Sequence, residues 1–262
     1  MRIEPLFLEG IIEYSHSLEQ KLITRAQNNC SESCYLLARF HQLGFQRPIN
    51  KQLADQYFQK SFLLGNPYAG FYLIDIDRQE TKNEFVENLL VLFQDRLRNG
   101  DIEAAHFIGL IYCNIDLALD YNKAIEYFEI AANDGISSSM LEMSELYELN
   151  LDNSVKSNEW LIKSAKAGNP IARRRLGVKY AHGEINGFED YAEAAKWYWL
   201  TLESLENYSF YSHERKTSKS YFIEETCSDL SSIFGSLKSY SKPSPITEDM
   251  EFILEMVSKT NN

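Results

Sequence analysis

Glu103 and His106 stand three residues apart in a segment that reads as helix, so the carboxylate and the imidazole share one helix face. Glu-x-x-His on a helix is half of a carboxylate-bridged metal site in helical bundles, and a complete site would support a metal-dependent enzyme. No second pair of this kind stands on a candidate facing helix. The expectation is therefore no metal, no cofactor and no catalytic residue, with His106 facing solvent or a partner. Gly65-Asn66-Pro67-Tyr68-Ala69-Gly70 spaces two glycines as a phosphate-binding loop does, but the Lys and the Ser or Thr that should follow are missing. Neither Gly-x-Gly-x-x-Gly nor Gly-x-Ser-x-Gly occurs. Arg173-Arg174-Arg175 suggests a nucleic-acid contact and an alternative role as a nucleic-acid-associated scaffold. Consecutive helical residues point about 100° apart, however, so the three cannot form one patch. Cys30, Cys34, Cys113 and Cys227 are too few and too irregular for a disulfide framework, and are read as ordinary thiols.

The elements that must position these residues are set by a repeat. Gly65, Gly100, Gly135 and Gly168 recur at 33 to 35 residues. After Gly100 come Ala104, Ile108-Gly109 and Tyr112; after Gly135, Ser139, Met143-Ser144 and Tyr147; after Gly168, Ala172, Leu176-Gly177 and Tyr180. Asn29 takes the glycine place of an earlier unit, followed by Ser33, Leu37-Ala38 and His41. Gly65 is followed by Ala69, Leu73-Ile74 and Asp77. A large pair precedes each turn: Tyr57-Phe58, Leu92-Phe93, Tyr127-Phe128 and Trp160-Leu161, with Trp197-Tyr198 in the fifth unit. Small and large residues at these spacings make apolar stripes on two helices joined by a turn. A glycine just past the second helix supplies the left-handed residue that starts the next unit. One hairpin cannot bury its own stripe, so the units must stack. Periodicity assigns both residues of each large pair to the core, with His41 packed in a tyrosine place.

Ala172, Leu176-Gly177, Tyr180 and Gly183, then Asp190, Ala194 and Trp197-Tyr198, resemble the Sel1-like repeat, a relative of the tetratricopeptide repeat. Ala104, Ile108-Gly109, Tyr112, Asp120, Lys123-Ala124, Tyr127-Phe128 and Gly135 match equally well, whereas the units with His41 and Asp77 are degenerate. The resemblance covers residues 17 to 204. It implies an all-α, α/α superhelical solenoid of about six helix-turn-helix repeats that binds proteins. Some members carry a disulfide in every repeat, and those cysteine pairs are missing here. Residues 1–29 are read as an N-terminal cap and half-repeat, and 30–204 as five repeats. Residues 205–262 form a divergent insert, a degenerate repeat and a capping helix begun by Thr247 after Pro243 and Pro245.

The 262 residues hold 38 acids against 26 Lys and Arg, a net charge of −12. That excess disfavours nucleic acid and anionic membrane and favours a basic protein partner. Residues 101–155 concentrate eleven acids against Lys123, and residues 156–179 reverse the sign with seven cations against Glu159. Two readings stand: solvated faces whose bands attract each other across the stack, or a binding surface. In the related tetratricopeptide arrays the first helices line a concave surface. Transferring that register implies a partner surface of Tyr35, Arg39, Phe71, Asp75, Arg78, Glu103, His106, Glu142, Glu145, Glu148, Arg174 and His182. Tyr208, Phe210 and Tyr211, in an insert that breaks the period beside His213, Arg215 and Lys216, have interface-like composition. No apolar run is long enough to span a membrane, and Glu4, Glu9 and Glu13 interrupt the start where a signal peptide is apolar. The expectation is a cytoplasmic, non-catalytic binding module: a stoichiometric inhibitor, immunity protein or adaptor.

Overall fold

The computed structural model describes residues 16–43, 48–76, 83–205 and 225–233, and among them every regular element is helical. The first apolar run, the insert with Tyr208, Phe210 and Tyr211, and the Thr247 helix lie outside the described residues. The chain divides into two compact units with a boundary at residues 139/140. In the first, α1 (His16–Gln27) precedes the hairpins α2 (Ser31–Leu43) with α3 (Lys51–Leu63), α4 (Pro67–Ile76) with α5 (Asn83–Arg98), and α6 (Glu103–Asn114) with α7 (Tyr121–Asn133). Helix α8 (Ser137–Leu149) crosses the boundary. The second unit continues with α9 (Ser154–Lys166), α10 (Pro170–Ala181), α11 (Tyr191–Leu205) and a helical segment at 225–233, here α12.

Two small devices recur at the described turns. After a second helix the chain enters a left-handed turn: Gly135 has φ +92°, its amide donates to the Ala132 carbonyl at 3.0 Å, and the next amide, Ile136, reaches back to Ala131 at 3.1 Å. This pattern ends helices at a residue free of the Cβ penalty, and it recurs at Gly65, Gly100 and Gly168. Asn29 adopts it with φ +59°, as one of the few side chains that tolerate the region. Within a hairpin, a polar residue caps the second helix. Asn50, Asp120, Asn153 and Asp190 each accept from the amide three residues on, at 3.0 to 3.1 Å. The backbone amides of the same four residues donate at 2.8 to 2.9 Å to His41, Tyr112, Tyr147 and Tyr180, the tyrosine place of each first helix. One residue thus both closes the loop and starts the helix.

The large pairs are only half core. Phe58, Phe93, Phe128, Leu161 and Tyr198 are buried, but of their preceding neighbours Tyr57, Leu92, Tyr127 and Trp160 are only partly buried, and Trp197 alone is buried as well. Adjacent helical residues point about 100° apart, so one seam cannot take both. The outer ring packs on the tyrosine place instead. Tyr112 stacks on Tyr127 with centroids 5.9 Å apart, and His41 stacks on Tyr57 at the same distance.

Two of the inner residues, Phe128 and Tyr198, pack directly on a glycine. A Cβ built on Gly109 would lie 2.5 Å from the Phe128 ring, and one on Gly177 would lie 2.8 Å from Tyr198. In the second hairpin Ile74 stands at that place, and the close approach moves one turn earlier to Gly70, beside Phe62 and Leu89.

Candidate interaction surface

Several side chains expected on an accessible first-helix face instead fill the seams between neighbouring first helices. In the first unit Tyr35 is buried among Phe58, Tyr68 and Tyr72, with centroids 6.0 to 6.4 Å away. Arg39 is buried with its guanidinium 4.4 Å above the Tyr72 ring and donates to Gln42 at 3.0 Å. Phe71 is buried edge-on to Phe107 at 5.2 Å, and Glu103 is buried too. These four are therefore not partner-facing. Tyr35, Phe71, His106 and Arg174 each stand six residues after a turn residue, and the contacts of the last three show that this line looks at the next first helix. Arg78, Tyr208, Phe210 and Tyr211, and the side chain of Asp75, lie outside the described residues.

His106 shows what the line does. Its Nδ1 shares a 2.9 Å hydrogen bond with Ser139 Oγ, while the ring lies beside Phe107 and Phe128 with centroids 5.6 and 5.8 Å away. Among the described residues no group of three or more His, Cys, Asp or Glu gathers that could hold a metal ion. Burial pulls the His106 pKa from its ordinary 6.5 down to about 4. Between those values the unfolded chain takes up a proton that the native chain refuses, so stability should fall as pH drops from 6.5 towards 4 and be flat in this contribution above it. His106→Asn should remove that component. Urea unfolding of both proteins across pH checks this, and parallel pH profiles would contradict it.

In the second unit the acidic and basic bands meet. Arg175 pairs with Glu145, and Lys179 Nζ reaches Glu148 at 2.7 Å, Asn158 at 3.1 Å and Glu184 at 3.8 Å. Arg174 pairs on another side with Asp229 at 2.7 Å and Glu225 at 3.2 Å on α12. Arg173 Nε donates to the Ala165 carbonyl at 3.1 Å and its NH1 to that of Leu200 at 2.9 Å. The three arginines thus leave α10 in three directions rather than forming one patch. The cations that meet Glu145 and Glu148 belong to the chain itself, because residues 30 or 31 apart fall on adjacent first helices. That spacing was the available signal for Lys179, whereas Asp229 and Glu225 lie beyond the insert that breaks the period and had no such signal. Glu142 is partly buried, and His182 is exposed with its Nδ1 2.9 Å from the Val178 carbonyl.

Lys179→Met should cost about 1 kcal/mol at low salt, with the difference shrinking at about 1 M salt, since Glu148 remains half in water. Denaturant midpoints at the two ionic strengths read this out. An unchanged salt dependence would show that the pair contributes nothing.

Stacked helical hairpins with filled seams define an α/α repeat protein. The Sel1 repeat model matches residues 31–66, 102–136, 138–169 and 170–198, together just over half of the chain. The chain belongs to the Sel1 repeat family. The unmatched stretch 67–101 contains the hairpin with the displaced glycine, whereas the His41 unit is matched, in keeping with His41 stacking as a tyrosine does. Similar solved structures include a Sel1 repeat protein from Oxalobacter formigenes, with 17% identity, a TM-score of 0.54, and 76% of this chain and 78% of that chain covered. The immunity protein Pa5087 from Pseudomonas aeruginosa has 16% identity, a TM-score of 0.51, and 72% and 74% covered. At these identities the likeness is one of fold. No curated protein matches the chain with significance. No helix among the described residues is long and apolar enough to cross a membrane.

Proposed function

We propose that the chain is a non-catalytic protein-interaction module that holds one partner protein on a preformed surface, as a stoichiometric inhibitor, an immunity protein or an adaptor. Sel1 repeat proteins are protein-interaction modules, and an immunity protein shares the fold. The observation that carries the reading is that the groups best suited to chemistry are used in packing. His106 bonds to Ser139, and Arg174, Arg175 and Lys179 tie one first helix to the next. What such an array offers a partner is shape and surface charge fixed in advance, so little ordering entropy is lost on docking. The net charge of −12 supports a basic partner, although Glu145 and Glu148 are already paired within the chain.

Immobilised chain should retain a protein from an extract of its own cell, and the purified complex should have one-to-one stoichiometry by sedimentation. Failure to retain any protein at low salt, together with turnover by a preparation holding a stoichiometric transition metal, would overturn the reading in favour of an enzyme.

A further inference from the structure

In the second unit the turns inside two consecutive hairpins expose apolar side chains that nothing in the fold requires. Leu149 and Val155 flank the turn between α8 and α9 and are 78% and 68% exposed, while Phe188, between α10 and α11, is 63% exposed. These turns are built. The Asn153 amide bonds to the Tyr147 carbonyl at 2.8 Å, Gly187 to Gly183 at 2.9 Å, and Asp190 to Tyr180 at 2.9 Å. Within the second turn Ile185 packs inward on the core that holds Leu161 and Leu176, whereas Phe188 points out. The two turns adjoin, because Asn158 donates to the Glu184 carbonyl at 3.3 Å, and Asn158 lies one helical turn from Val155.

Acids dominate this edge, although Glu184 already lies 3.8 Å from Lys179 Nζ. Residues 149–155 and 182–190 contain Asp152, Glu184, Glu189 and Asp190 and neither Lys nor Arg, and the first three acids are exposed. Lys156, the nearest cation in sequence, sits over the Tyr147 ring at 5.0 Å.

Exposed aliphatic and aromatic side chains in turns that also carry exposed carboxylates have the composition of an interface whose partner is cationic. A second copy of the chain would bring the same acids against these, so self-association is opposed. Resting on the protein-interaction reading, we infer that this edge docks a segment of the partner protein in which an aliphatic or aromatic side chain is flanked by Lys or Arg.

The test uses the full chain and three labelled peptides: one with Leu and Phe between lysines, one with those lysines changed to Glu, and one with the apolar residues changed to Ser. Fluorescence anisotropy at low salt should show the first bound at least tenfold more tightly than the other two. Phe188→Ser with Val155→Ser should weaken it at least tenfold with an unchanged melting temperature. Glu184→Lys with Glu189→Lys should shift preference to the Glu peptide, a gain that misfolding cannot produce.

Equal binding by all variants overturns the proposal, and so does equal binding of the Lys and Glu peptides. Concentration-dependent self-association abolished by Phe188→Ser overturns it in favour of a second copy. If a protein captured from extract stays bound to the Ser variant, this edge is the wrong surface while the interaction reading stands. If no protein is captured, that reading itself fails.

Discussion

Phe128→Ala is expected to cost about 3–5 kcal/mol, the largest loss of any single truncation considered for this protein. The ring is 0% exposed and fills the seam of the α6–α7 hairpin, against Gly109 and beside His106. Removing it forfeits the transfer free energy of an aromatic side chain and leaves a void that two helices held at both ends cannot collapse. In a repeat array the damage should begin locally, because each unit leans on its neighbours. Hydrogen exchange should therefore speed first in α6 and α7. A loss below about 1 kcal/mol would show that the seam closes around the truncation.

Gly109→Ala is expected to change sign with its background. In a helix interior the substitution alone gains about 0.5–1 kcal/mol. Here the added methyl would sit 2.5 Å from a ring that has nowhere to go, and overpacking of that kind costs about 1–3 kcal/mol. The single substitution should thus destabilise by about 1–2 kcal/mol. Made in Phe128→Ala protein it meets empty space and should stabilise, so the double-mutant cycle should give a coupling of about 2 kcal/mol. Additive effects would mean that the hairpin is not set by this contact. Urea unfolding of the four proteins measures the cycle.

Both predictions begin from residues whose importance was visible in the sequence. The recurrence of Ile108-Gly109 against Tyr127-Phe128, and of Leu176-Gly177 against Trp197-Tyr198, locates the seams because a helix repeats its faces every 3.6 residues. The left-handed turns were legible for a similar reason, as few residues other than glycine and asparagine accept that backbone. Less was legible of the surface. Tyr35, Arg39, Phe71 and Glu103 share a register with exposed positions of related arrays, yet here they are buried. Whether a first-helix position faces a partner or the next first helix depends on the angle between repeats, which local pattern does not encode.

The charge distribution divides in the same way. By itself the sequence determined that acids gather in residues 101–155 and cations in 156–179, as it determined the hairpins and their turns, because all of these follow from residue type and period. Only the tertiary structure decided that Glu145 and Glu148 meet Arg175 and Lys179, and that Leu149, Val155 and Phe188 stand exposed in turns that also carry exposed acids. Pairing and exposure are properties of neighbours brought together across a repeat of some thirty residues, and packing alone chooses those neighbours.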